Sequence, residues 1–180
     1  MSDGRIPSAG ASLDSAAIAA LFRDHHAELV RLALLMLGDL ATAEDVVQDV
    51  YASLHRRSRA QGRAQTVEAP LPYVRAAVLN GCRSVLRRRG IARRAHRASQ
   101  SETPTLASAE SEVILSEDRK QVLGALARLP RRRREVLVLR YYLGLSEAEI
   151  AAVLGISAGT VKSTAARALA ALARDLGEPS

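Results

Sequence analysis

The groups best suited to chemistry in this sequence are hydroxyls, amides and guanidinium groups set at helical spacing. In LSEAEIAAVLGISAGTVKSTAARAL, residues 145–169, Ser146 precedes Glu149 by three positions. That is the pattern of a capping box, in which the two side chains satisfy two orphan amide donors at a helix start. Ala151 is small where two helices must cross closely, and Gly155 suits a left-handed stop. Ser157 can cap a second helix, and Val161 falls six residues past the glycine, where it can point back into a core. This spacing predicts a helix-turn-helix, whose second helix lies in the major groove and presents its N-terminal residues to base edges. With Ser157 at its cap, its polar positions are Thr160, Lys162, Ser163, Thr164 and Arg167, of types that meet phosphate, guanine or other base edges. Upstream, Arg131 to Arg134 follow Pro130, and Arg133 and Arg134 are candidates for holding the flanking backbone. A plain helical hairpin would need the same caps, but not the small residue, glycine and valine together at these offsets.

A second constellation lies nearer the N-terminus. Asn80, Arg83, Ser84 and Arg87 stand at i, i+3, i+4 and i+7 and share one helical face, with Arg88 beside them, while Val74, Val78, Cys82 and Val85 sit toward the other side. Arg89, Arg93, Arg94 and Arg97 extend the basic run without an acid to neutralise it, which suits a polyanion held partly by counterion release. An arginine-rich helix end favouring its own dipole is the plainer alternative. On the preceding helix Asp45, Gln48 and Asp49 share an outward side, with Asp39 and Glu44 near its start. Acids in a first turn also favour the dipole, yet beside a basic helix they can be offered to a basic protein partner.

The net charge of +7 is unevenly spread. Twenty-four of the 26 basic residues are arginine, and residues 81–100 hold seven basic groups and no acid, so the whole excess sits there. The single Cys82 makes neither an internal disulfide nor a cysteine zinc site. His25, His26, His55 and His96 lack metal-ligand spacing, and no nucleophile–base pair or phosphate-cradling glycine loop is present, so no catalytic residue, metal or cofactor is expected. The first residues lack an apolar signal region, and the longest apolar run, Leu32 to Leu37, is far short of the about 20 residues of a membrane span; a cytoplasmic protein is expected. Five aromatic residues argue against stacking platforms for single strands.

Positioning these groups requires helices nearly throughout, since apolar residues recur at three- and four-residue spacing and no long stretch alternates. The expectation is an all-α chain of two small helical domains joined by a flexible linker. Residues 1–14 read as disordered, 15–97 as the first domain, 98–112 as the linker and 113–177 as the second domain. In the first, helices are expected from Ser15 to Leu37, from about Asp39–Thr42 to Arg59, and from Pro70 to Arg89, where Gly90 interrupts, with a loop between the last two. In the second they fall near Glu112–Arg128, Pro130–Leu143, Ser146–Leu154 and Ala158–Leu176, and no appended domain is expected after Leu176.

In this order the pieces AEDVVQDVY, YVRAAVLNGCRSVLRRR and LPRRRREVLVLRYYLGLSEAEIAAVLGISAGTVKS resemble the extracytoplasmic-function sigma factors, the minimal sigma subunits of bacterial RNA polymerase. The resemblance runs from about Leu21 to Leu176 and implies sigma regions 2 and 4 as the two domains. It implies that Asp45, Gln48 and Asp49 dock on the β′ clamp helices, with the β flap as a further polymerase contact. The family's N-x-x-x-D-x-x-R helix, which reads the minus-ten element, matches Asn80 and Arg87, with Ser84 in place of the Asp. The loop of about Ser58 to Ala69 corresponds to the one that traps a flipped base. The helix-turn-helix would read the minus-thirty-five element, with Thr164 where an Arg is frequent. Promoter DNA, core polymerase and an anti-sigma protein are the partners so implied. Rival readings are a dimeric helix-turn-helix regulator, which needs a dimer interface, and a small helical nuclease, which needs carboxylates near the basic helix.

Overall fold

The computed structural model describes residues 11–13, 15–60, 65–67, 70–98 and 117–177. Helix α1 (Ser15–Leu37) ends at Gly38, whose φ of +76° suits glycine, and its amide donates to Leu34 O at 2.7 Å. Asp39 then opens α2 (Leu40–Ala60), accepting from the Thr42 amide at 3.3 Å and from the Thr42 hydroxyl. Helix α3 (Pro70–Ala98) packs on both, with Val74, Val78, Leu79 and Cys82 buried against Leu29, Leu32, Met36, Val47 and Leu54. Burial pushes the Cys82 thiol up to about 12, so it is a small core residue kept protonated at neutral pH. Arg75 closes the bundle on Glu28 at 2.5 Å.

Two expectations change here. Ala11–Leu13 form a strand, β1, paired antiparallel with β2 (Gln65–Val67), Ala11 opposite Val67 and Leu13 opposite Gln65. Three-residue strands are too short for alternation to show in sequence, so residues 11–13 and part of the expected loop were hidden from it. The rest of residues 1–14 and nearly all of the expected linker lie outside the described residues. Helix α3 also runs through Gly90, where a Cβ would meet nothing within 4 Å. One glycine costs a helix only about 1 kcal/mol, and its arginine and alanine neighbours are good helix formers.

The second half is helical as well: α4 (Glu117–Arg128), α5 (Arg131–Leu137), α6 (Glu147–Leu154) and α7 (Ala158–Leu176). The helix expected to run to Leu143 instead widens into a π turn over Val138–Tyr142, in which the Leu143 amide donates to Val138 O at 3.1 Å. Val136, Val138, Leu139, Ile150 and Val161 join the same apolar cluster as α1–α3, and Leu35 of α1 packs on the cluster of Leu126, Leu129, Leu137 and Ala168. The two halves therefore share buried surface. No helix among the described residues is long and apolar enough to cross a membrane.

The glycines of α3 make a test. A Cβ on Gly81 would stand 2.8 Å from Val46 Cγ1, at the α2–α3 crossing. Gly81→Ala is expected to destabilise the chain by about 1–2 kcal/mol through overpacking. Gly90→Ala is expected to stabilise it by up to about 1 kcal/mol. Chemical denaturation of the two variants beside wild type measures both.

Candidate nucleic-acid interface

The helix-turn-helix is assembled by its caps. Ser146 Oγ accepts from the Glu149 amide at 3.2 Å while Glu149 Oε2 accepts from the Ser146 amide at 2.8 Å, the reciprocal box that the spacing predicts. Gly155 ends α6 at φ +63°, its amide bonded to Ala151 O, and Arg132 Nη2 donates to Leu154 O at 3.1 Å, adding a cation to that helix end. Ser157 Oγ accepts from the Thr160 amide at 3.2 Å and starts α7, and Val161 is fully buried as expected. This short turn fixes the angle at which α7 leaves the domain.

On α7, Ser157, Thr160, Lys162, Ser163 and Arg167 are exposed along one side. Arg167 is held against its own helix, its Nε donating to Ser163 O at 3.1 Å. Thr164 departs from the expectation: it is 8% exposed, because it shares the inward face with Val161, Ala165 and Ala168. A residue so placed does not face a groove. Arg134 departs further. It is 6% exposed, and its guanidinium donates to Met36 O at 2.5 Å, Ala127 O at 2.6 Å and Leu129 O at 3.3 Å. It is internal, while Arg133 beside it is half-buried and Arg131 exposed.

On α3, Asn80, Arg87 and Arg88 are exposed and Ser84 is half-buried. Arg83 turns away from open solvent, donating through Nη1 to Asn80 Oδ1 and through Nε to Glu135 Oε1, each at 2.9 Å. Arg89, read in sequence as part of the basic run, reaches back to the α1–α2 turn, to Asp39 Oδ2 at 3.3 Å and Leu37 O at 3.4 Å. Burial raises the Asp39 carboxyl, but the Thr42 hydroxyl and amide together with the Arg89 guanidinium outweigh it and hold the group below its ordinary value. Asp45, Gln48 and Asp49 are all exposed on α2.

These two helices meet in an open groove of about 480 Å³ that brings Asp49 of α2 together with Asn80, Ser84 and Arg88 of α3. Val46, Val50, Gly81 and Val85 line it, and Arg57 and Tyr73 complete it, the Arg57 guanidinium lying 3.5 Å from the Tyr73 hydroxyl. Neither Arg57 nor Tyr73 was picked out by sequence. Tyr73 stands seven residues before Asn80, two turns along the same face, and that spacing is the signal that would have found it. Among the described residues no group of three or more His, Cys, Asp or Glu is placed to hold a metal ion.

Comparison with known proteins decides what these parts belong to. Residues 21–91 match the family model for sigma-70 region 2, and residues 119–172 match that for sigma-70 region 4. The chain is 37% identical over 174 residues to the ECF RNA polymerase sigma factor SigL of Mycobacterium tuberculosis, covering 94% of this chain and 96% of that one. It belongs to the extracytoplasmic-function sigma factors. SigM of the same organism is 36% identical over 98% of this chain and 85% of its own, and the sigma-E factor of Streptomyces coelicolor 34% identical over 82% and 79%. The fold resembles that of the sigma factor RpoE from Bartonella quintana, solved in complex with the anti-sigma factor NepR, with a TM-score of 0.65 and 24% identity over 88% of this chain and 95% of that one. Sigma regions 2 and 4 in one chain do not favour the dimeric regulator.

The capping box gives this region a pH signature. The Ser146 side-chain and backbone hydrogen bonds hold the exposed Glu149 carboxyl below its ordinary 4.5. A carboxyl depressed by folding stabilises the native state fully above its unfolded value and loses that contribution as pH falls through the folded one. The stability difference between wild type and Glu149→Ala is therefore expected to be full at neutral pH and to shrink as pH falls below the ordinary 4.5, as read by denaturation at a series of pH values.

Proposed function

We propose that this sigma factor divides its work among three surfaces of two domains, residues 15–97 and 113–177. The outward side of α2, with Asp45, Gln48 and Asp49, docks on the β′ clamp helices of core polymerase, and the second domain rests near the β flap. The polar face of α3, with Asn80, Ser84, Arg87 and Arg88, takes the minus-ten element, and the exposed side of α7, with Thr160, Lys162, Ser163 and Arg167, takes the minus-thirty-five element. The observation that carries this reading is the groove in which Asp49 and the α3 side chains lie on one surface, so that a strand held on α3 is held next to the polymerase dock.

The energetics follow from this division. Among the residues whose side chains are described, Arg87 and Arg88 on α3 and Lys162 and Arg167 on the first half of α7 are the exposed cations, a number too small for either contact to be strong alone. Held on one polymerase, the two act at a high effective concentration and bind together what neither binds separately. Unpaired bases of the minus-ten element, once captured on α3, offset the unstacking they cost, and this favours local opening. No side chain is assigned a catalytic step, no cofactor is required, and the factor works in the cytoplasm, where polymerase and promoter are. An anti-sigma protein that inhibits it would cover these same surfaces.

Reconstitution with core polymerase tests the assignment. Asp49→Arg is expected to weaken co-elution with core by tenfold or more, since a like charge at a docked interface costs several kcal/mol. Arg87→Ala is expected to leave co-elution intact and reduce open-complex formation. Lys162→Ala is expected to lower promoter affinity of the holoenzyme and flatten its dependence on salt by about one unit of slope. If all three variants transcribe like wild type, the residue assignment is wrong.

A further inference from the structure

The promoter-reading and polymerase-docking surfaces leave β1 without a role. Ala11–Leu13 lie ahead of the helices, yet they pair with Gln65–Val67, which sit inside the connection between α2 and α3. Two strands of three residues are marginal by themselves, since the backbone entropy of ordering them opposes only a few hydrogen bonds. Here both strands are held by their anchors. One residue separates Leu13 from the start of α1, where Ile18 is buried, and two separate Val67 from the start of α3, where Val74 is buried. Such short leashes give each strand a high effective concentration at the other.

The connection that β1 engages joins the two helix ends that form one end of the α2–α3 groove. Arg57 lies three residues before the last of α2 and Tyr73 three after the first of α3, and both line the groove, the guanidinium 3.5 Å from the hydroxyl. Asn80, Ser84 and Arg88 follow along α3 from this end. A connection of nine residues with no partner strand has many conformations to lose when a nucleic-acid strand is bound beside it. With β2 paired to β1, part of that ordering is completed on folding.

We propose that β1 is a clasp, whose main-chain pairing with β2 sets the α2–α3 connection beside the groove before DNA arrives and so positions that end of the groove for the unpaired minus-ten strand. The proposal rests on the assignment of the minus-ten element to the polar face of α3. The clasp adds no contact to DNA or polymerase; it lowers the cost of capture by preorganisation. Its bonds run between backbone amides and carbonyls, so it depends on the amides of residues 11–13 and tolerates a change of side chain.

Proline substitution tests this on the full chain. In an antiparallel pair successive residues turn their amides alternately toward and away from the partner strand, so of Ser12 and Leu13 one donates to β2 and the other does not. Proline removes the amide donor of whichever residue it replaces. Ser12→Pro and Leu13→Pro are each assembled with core polymerase and read against alanine at the same position. The probe is a fluorescent single-stranded oligonucleotide carrying the non-template minus-ten region of a promoter that wild-type holoenzyme transcribes. One proline variant is expected to bind it roughly three- to tenfold more weakly, as the loss of one or two backbone hydrogen bonds implies, and to exchange the amides of residues 65–67 faster. The other is expected to match its alanine control. Co-elution with core and affinity for a duplex minus-thirty-five fragment are expected to be unchanged in both. Prolines that both match their controls, or both weaken binding alike, would overturn the clasp. So would a loss that extends equally to core binding, because β1 would then be a part of the fold and not a positioning strand. Wild-type holoenzyme that binds the oligonucleotide no better than core polymerase alone would instead overturn the minus-ten assignment.

Discussion

One guanidinium organises the contact between the halves of this molecule. Helices leave their last carbonyls without intrahelical partners, and those groups carry the negative end of the dipole. Arg134 meets that need at two helix ends together, donating to Met36 O near the end of α1 and to Ala127 O and Leu129 O around the end of α4. Planar and always charged, with five donors, arginine can do this where lysine would leave carbonyls unpaired. The cost of burying the charge is offset only while these carbonyls stay in place, which is why α1, α4 and α5 are held in one arrangement.

Other arginines are used the same way. Arg132 donates to Leu154 O at the end of α6, Arg89 to Leu37 O, and Arg83 closes on Glu135. Cations drawn into carbonyls and carboxylates neutralise no phosphates. Among the described residues the number of arginines therefore overstates the number available to meet phosphate in this arrangement.

Legibility in the sequence followed the range of the interactions. The capping box at Ser146 and Glu149, the stop at Gly155 and the buried Val161 are settled within a few residues, and they stand where spacing alone put them. The outward placing of Asp45, Gln48 and Asp49 follows equally from helical period. Arg134 and Thr164 were misplaced because a residue type says what a side chain can bond, not which partner will reach it first. One of the carbonyl partners of Arg134 lies 98 residues away, and Thr164 carries a hydroxyl on what is otherwise the apolar side of α7. The strands Ala11–Leu13 and Gln65–Val67 were invisible for a related reason, since their pairing lives in backbone amides that no side-chain pattern records.

The π turn ties local irregularity to the larger arrangement. In a regular helix each residue turns the next through about 100°, so a widened turn shifts the direction of every side chain beyond it. Here the widening falls at Val138–Tyr142, and Tyr142 lies half-buried with its hydroxyl on Glu28 O, while Tyr141 is exposed. Burial raises the Tyr142 hydroxyl above its ordinary value, so it stays a donor at neutral pH. A helix continued regularly to Leu143 would carry Tyr142 around the axis and away from α1. The less favourable hydrogen-bond geometry of the π turn is thus compensated outside its own helix, at the contact between the two halves, and a feature that weakens α5 locally strengthens that contact.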